Sequence, residues 1–302
     1  MDAEQEVISV HEDGRPDRPW IADGSCPVET CGTVDSRIYA PPPMNLVFPE
    51  VVPGDALRIS ASTFQNWKRC PGNAEARLRG LHPPESRHSF AGSLAHRLFK
   101  RHLTDGPIPE EEFAMVCRQE IGSTNLKFRL AEAGLRKMSD LEPLFDEARD
   151  LYRRFRMLPA GGFREGEVSL EHPLPDAGIT LVGVVDAVFE DDGGVRLVDW
   201  KTGGVHDPEA QMGFYAMLWA LARGELPAAV EALSVRSGEV YRDTPTWETA
   251  RSVAEEVAEM VSSLRTAWER GGDADRYGGP WCSWCPVLEE CPEGQTASRL
   301  LD

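Results

Sequence analysis

Hydrophobic positions along the chain switch between two periods, and the switches predict the elements. Phe64, Trp67 and Cys70 share one side of a helix with Ser60 and Ser62 as candidate N-caps, interrupted at Pro71-Gly72. Phe90, Leu94 and Leu98 mark a second helix over roughly 90–103, with His96 off that stripe beside Arg97, Lys100 and Arg101. Residues 107–160 read as mostly helical. Their clearest piece, 141–156, repeats Leu141, Leu144, Phe145, Ala148, Leu151, Tyr152 and Phe155 at threes and fours, with Arg149, Arg153, Arg154 and Arg156 on the other face. Those arginines suit a DNA backbone or plain solvation equally well. The pattern then turns to alternation: 164–171 (REGEVSLE) reads as a strand with Glu167 and Glu171 on one face, and 229–235 (AVEALSV) as a core strand. Asp207-Pro208 opens a helix that carries Gln211 and Tyr215 one turn apart. A last long helix spans about 246–270, started by Thr244-Pro245, with Val253, Val257, Met260, Val261, Leu264 and Trp268 as its buried stripe.

The strongest signal lies between these segments. Residues 179–201 read ITLVGVVDAVFEDDGGVRLVDWK, two β-rich runs flanking Asp191-Asp192-Gly193-Gly194, which predicts an antiparallel hairpin. With the turn centred between Asp192 and Gly193, opposed positions sum to 385. Asp186 then faces Asp199, and alternation puts Lys201 on the side of Asp199. Two carboxylates and an ammonium in an apolar hairpin are costly unless they pair or hold a metal. A surface salt-bridge cluster is the plain alternative to a hard divalent cation held by Asp186 and Asp199 with Lys201 beside it. His96 becomes a further candidate ligand if its helix lies over the hairpin, and Glu167 a weaker contact.

Charge and cysteines change the picture next. The chain of 302 residues carries a net charge of −18, unfavourable for long duplex DNA. The distribution is uneven, however: residues 58–104 hold 9 Lys/Arg against 2 Asp/Glu, a local basic surface able to attract phosphate. Residues 1–57 are acidic and rich in Gly and Pro, which predicts a loosely ordered extension with a short strand near 45–48. No run of about eighteen apolar residues exists and the N-terminus is acidic, so a cytoplasmic protein without membrane span or secretory signal is expected. In a reducing compartment its cysteines act as thiols or metal ligands rather than disulfides. Cys282, Cys285 and Cys291 have the spacing C-x2-C-x5-C. Only one C-x2-C pair exists, so an iron–sulfur cluster suits the set at least as well as zinc, with Cys70 as the natural fourth ligand and Cys117 in reserve. A disulfide with two free thiols is the remaining alternative. Cys26 and Cys31, at C-x4-C, lack a second pair.

Taken in order, these residues resemble the RecB-type branch of the PD-(D/E)XK nucleases, including the small iron–sulfur nucleases associated with CRISPR loci and the AddB nuclease domain. The likeness covers residues 59–292. It rests on Ile59-Ser60-Ala61-Ser62 through Cys70-Pro71, Gly92-Ser93-Leu94-Ala95-His96, Gly183-Val184-Val185-Asp186, Val198-Asp199-Trp200-Lys201-Thr202-Gly203, Gln211 through Tyr215, and the three closing cysteines. Asp-Trp-Lys stands where many relatives have Glu-x-Lys. The resemblance implies an α/β fold: a restriction-endonuclease-like core in 58–302, a central mixed sheet flanked by helices, with 107–160 as a helical insertion that could cover the cleft and a 280–292 loop closing onto Cys70. It implies Mg²⁺ or Mn²⁺ on Asp186 and Asp199, with His96 and the backbone carbonyl of Trp200 in further positions. Lys201 would orient water or stabilise the transition state, and Gln211 and Tyr215 would position the phosphate or the lysine. Cys70, Cys282, Cys285 and Cys291 would hold a [4Fe-4S] cluster that staples the two ends of the domain. The activity implied is an exonuclease acting on single-stranded DNA ends in recombination, repair or spacer acquisition. No Walker-type loop is present, so unwinding would need a helicase, recombinase or integrase partner. A non-catalytic iron–sulfur DNA-binding or adaptor subunit, and a structural zinc protein, are the readings of other classes.

Overall fold

The computed structural model describes residues 45–301; Cys26 and Cys31 lie outside them. Residues 45–56 form no strand, contrary to the expectation near 45–48, yet Phe48 and Val51 are buried in the core. What anchors this irregular segment is Arg265, far away in sequence, whose guanidinium donates to the carbonyls of Val52, Asp55 and Ala177. Strand β1 (Leu57–Ser60) follows, and the Ser60 side chain accepts from the Thr63 amide to open α1 (Ala61–Arg69). Pro71 forces Cys70 into an extended conformation, which ends α1 and starts α2 (Pro71–Leu78). A Ser86–Ser89 capping box opens α3 (Arg87–Asp105). The 107–160 segment is helical as expected, in α4 (Phe113–Ser123), the short α5 (Leu126–Arg129) and α6 (Met138–Phe155).

The sheet is mixed. β2 (Phe163–Leu174) runs antiparallel to β3 (Ile179–Asp191) along nearly its whole length. The other edge of β3 is divided: β1 pairs in parallel with 179–182, and β4 (Gly194–Lys201) pairs antiparallel with 187–191. The hairpin register runs from Asp191 opposite Gly194 to Ala187 opposite Val198, so opposed positions do sum to 385. Here the ladder stops. One rung before Asp186 and Asp199 would meet, β4 leaves β3 and continues in parallel with β5 (Ala229–Ser234), which β6 (Val240–Asp243) flanks. Residues 183–186 therefore sit in a fork with no partner on that edge.

Each face of the sheet has its own core. On one, α1, α7 (Pro208–Arg223) and α8 (Trp247–Glu269) pack Phe64, Phe214, Met217, Val257 and Leu264 against Leu181, Val185, Leu197 and Val230. On the other, α3, α4 and α6 pack Phe90, Leu94, Phe99, Leu144, Tyr152 and Phe155 against Ala187, Phe189, Val198 and Trp200. Each buried Val, Leu, Phe or Met among them contributes about 1.5–3 kcal/mol. Helix α8 starts two residues later than Thr244-Pro245 suggested, with Thr246 and Thr249 forming the capping box. Helix α9 (Pro292–Leu301) closes the described chain. Among the described residues, no helix is long and apolar enough to cross a membrane.

Candidate functional site

The fork in the sheet brings together groups from both helical layers. Asp186, on the unpaired stretch of β3, uses Oδ2 to accept the Trp200 amide at 2.7 Å. A side chain thus replaces the backbone rung that would otherwise join β3 to β4. Its other oxygen lies 3.0 Å from His96 Nδ1 on α3. Gly92, one turn before His96, makes that approach possible, because a Cβ there would stand 2.9 Å from Thr202 Oγ1. The Trp200 indole points the other way, edge-on to Phe155 and Phe189.

From β4, Asp199 and Lys201 extend toward α7. Lys201 Nζ lies 2.7 Å from Asp199 Oδ2 and donates to Gln211 Oε1 at 2.6 Å. Gln211 Nε2 donates to Asp199 Oδ1 at 2.9 Å and to the Tyr215 hydroxyl at 3.1 Å. Gly183 gives the Tyr215 ring its place, since a Cβ there would stand 3.3 Å from the ring. Asp186, His96, Asp199, Lys201, Gln211 and Tyr215 thus form two linked groups at one point of the sheet. For Trp200, the group seen at work is its amide.

The electrostatics favour a cation. Asp199 is 6% exposed. Burial, and then the Asp186 carboxylate, push its pKa up to about 6 against the pull of Lys201. Oδ2, although close to the ammonium, has no partner in hydrogen-bond geometry. Burial draws His96 down, but the charge and hydrogen bond of Asp186, aided by Asp199, raise it above the ordinary histidine value. Burial, followed by the Asp199 charge, raises the Tyr215 hydroxyl well above the usual tyrosine value, so it stays protonated. A buried carboxylate held above its normal range beside a second one fits a divalent ion. Even so, among the described residues no three His, Cys, Asp or Glu side chains stand as a ready-made single-ion cage, because His96 and Lys201 engage the two carboxylates directly.

At the far end of α1, Cys70, Cys282, Cys285 and Cys291 line one narrow cavity of about 10 Å³. Burial and then the neighbouring Cys70, Cys282 and Cys291 sulfurs raise the Cys285 thiol. Three backbone amides aim at sulfur at 3.3 Å: Tyr277 at Cys70, Gly279 at Cys282 and Gly294 at Cys291. Amides turned on sulfur stabilise thiolate charge, as the ligands of a metal centre require. Cys117 is elsewhere, on α4 and fully buried in the second core, its thiol pushed up to about 12 by burial. It does not reach the other four.

The basic segment is less of a patch than its charge suggested. Arg97 and Lys100 both bind Glu167, Arg101 binds Glu120, and Arg69 binds Asp207 on a separate side of the fold. On α6, Arg149 and Arg153 pair with Glu110 and with Asp146 and Asp150, and Arg154 donates to the Arg236 carbonyl. Sequence reasoning missed α5, too short to show a period. Its Asn125, Leu126 and Arg129 join His96, Arg97, Glu167, Val184 and Asp186 around a cleft of about 460 Å³.

Comparison with known proteins gives the profile of the PD-(D/E)XK nuclease superfamily as a match over residues 58–292. Among solved structures, the crystal structure of SSO0001 is similar over 67% of this chain and 95% of that one, at 17% identity and a TM-score of 0.31. No curated protein matches.

Proposed function

Because the chain belongs to the PD-(D/E)XK nuclease superfamily, we propose that it is a divalent-metal-dependent deoxyribonuclease of the RecB-like branch, acting as an exonuclease on single-stranded DNA ends. The observation that carries this reading is the link from Asp199 and Lys201 through Gln211 to Tyr215, set beside the Asp186–His96 pair in the fork of the sheet. In this proposal Asp186, Asp199 and His96 hold Mg²⁺ or Mn²⁺, with the Trp200 carbonyl as a further ligand; nitrogen in the set favours Mn²⁺. The ion supplies a Lewis acid that offsets phosphate charge and lowers the pKa of water. Lys201, which donates to Gln211 and lies against Asp199, faces the attacking water in this proposal. Its part is to orient that water and to stabilise negative charge growing on the phosphate. Gln211 fixes the lysine and the carboxylate at once, and Tyr215, kept protonated, fixes Gln211.

Cys70, Cys282, Cys285 and Cys291 would hold a [4Fe-4S] cluster. What supports this reading is the cavity the four share and the three amides aimed at their sulfurs; among the described residues no three of them stand as a ready-made metal site. Its role in this reading is to hold the fold. End-labelled single strands incubated with Mn²⁺ test the activity: the wild type is expected to shorten them and Asp199→Ala to leave them intact. If the two proteins behave alike with and without metal, the nuclease reading fails.

A further inference from the structure

We infer that Arg97 and Lys100 form a phosphate-binding subsite next to the metal carboxylates, and that Glu167 is its built-in occupant, displaced by a backbone phosphate of the bound strand. This deepens, and rests on, the nuclease reading above. Arg97 Nη1 and Lys100 Nζ both donate to the same oxygen, Glu167 Oε2, at 2.9 and 2.8 Å. Two cations converging on one anionic oxygen are also how a non-bridging phosphate oxygen is held.

The location ties this subsite to the chemistry. His96 and Lys100 stand four apart and share a face of α3; one meets Asp186 and the other Glu167. Between the β2–β3 rungs Gly166 opposite Ala187 and Val168 opposite Val185, Glu167 and Asp186 are left unpaired across from each other. The cleft that Asp186 lines is thus also lined by Glu167 and Arg97. A strand lying in it against Asp186 would have Arg97 and Glu167 on the same wall.

Glu167 is also held out of a relaxed strand. Its φ of 54° lies in the left-handed region, unusual for a non-glycine residue and more so inside a strand. The ion pairs are what its carboxylate gains there. They are partly open to water, with the Arg97 and Lys100 side chains 34% and 38% exposed, and pairs that exposed exchange partners readily. A DNA phosphate offers the same two cations an equivalent partner and releases counterions as well.

Binding of a fluorescein-labelled single-stranded oligonucleotide, followed by anisotropy in Ca²⁺ over a range of salt, tests the inference. Glu167→Gln is expected to bind about three- to tenfold more tightly than wild type. Its salt dependence should steepen by roughly 0.7 in log–log slope per phosphate contact no longer contested. Glu167→Gly, which removes the carboxylate and suits the left-handed backbone, should show the same gain. The gain should vanish when Arg97→Ala and Lys100→Ala are added. Equal or weaker binding by both Glu167 variants overturns the inference and points to Glu167 as a metal ligand or as an orienter of the two cations. A gain that survives loss of the cations also overturns it, as a mere effect of net charge, and so does the absence of strand binding by every protein. Mn²⁺ cleavage is read separately: tighter binding without cleavage by wild type keeps the subsite and retires the nuclease reading, whereas cleavage without the gain retires only the subsite.

Discussion

Gln211 uses both ends of its amide: the carbonyl accepts from Lys201 while the NH₂ donates to Asp199 and Tyr215. No charged residue could do both, since a carboxylate would repel Asp199 and an ammonium would repel Lys201. The residue therefore fixes the orientation of the two groups on which the proposed chemistry depends. Truncation leaves Lys201 with its Asp199 ion pair alone and frees the second Asp199 oxygen and the Tyr215 hydroxyl. Gln211→Ala is expected to slow cleavage by about 10- to 100-fold, the range typical of groups that orient metal ligands. Tyr215→Phe should cost less, because it removes one acceptor from Gln211 and leaves the Lys201 and Asp199 bonds in place. Single-turnover cleavage at saturating Mn²⁺ measures both. A Gln211→Ala protein as fast as wild type would show that the lysine is positioned by something else.

At the scale of elements, α7 must enter the fold at the right height for Gln211 to meet β4. Its N-cap, Asp207, has φ 45° and makes no side-chain capping bond. It is pinned from α1: Gln65 Nε2 donates to the Asp207 carbonyl at 2.8 Å, and Arg69 Nη2 donates to the Asp207 carboxylate at 3.2 Å. Arg69→Ala should thus loosen the connection between Lys201 and α7, raising hydrogen exchange across 203–210 and slowing cleavage while leaving the cysteine cavity intact. Unchanged exchange there would place the clamp elsewhere. None of this could be read in the sequence, where Arg69 counts only as one charge of a basic segment. The hairpin register was legible because an Asp/Gly turn fixes which residues oppose. Its end was not, because alternation looks the same whether β4 pairs with β3 or with β5. Asp186, Asp199 and Lys201 stood out as charges in apolar strands, and Gln211 and Tyr215 as neighbours one turn apart. Glu167 stood out only as a weak candidate for metal contact, and neither its left-handed backbone nor its pairing with α3 cations some seventy residues away shows in the alternation. The same limit hid Arg265, whose partners all come from distant loops.

For the molecule as a whole, the cysteine cavity joins the two ends of the nuclease domain. Cys70 closes α1, while Cys282, Cys285 and Cys291 lie before α9, and the Gly72 amide donating to the Asp275 carbonyl at 2.9 Å adds a backbone tie at the same seam. A centre bound by all four thiols would close a loop of about two hundred residues, restricting the unfolded chain by on the order of 5 kcal/mol on chain-entropy reasoning. We therefore expect anaerobically prepared protein to be brown, with iron and acid-labile sulfide near four each per chain. Cys70→Ala should lose the iron and melt on the order of 10 °C lower. Cys117→Ala should keep the iron, and in the folded wild type Cys117 should resist iodoacetamide at about pH 8, because burial holds its thiol protonated. Asp199→Ala should keep both iron and melting temperature while losing cleavage, because its carboxylate belongs to the fork of the sheet and not to this seam. Stoichiometric zinc without iron would make the centre a structural zinc site, and a Cys70→Ala protein with full iron and unchanged melting would remove Cys70 from the ligand set.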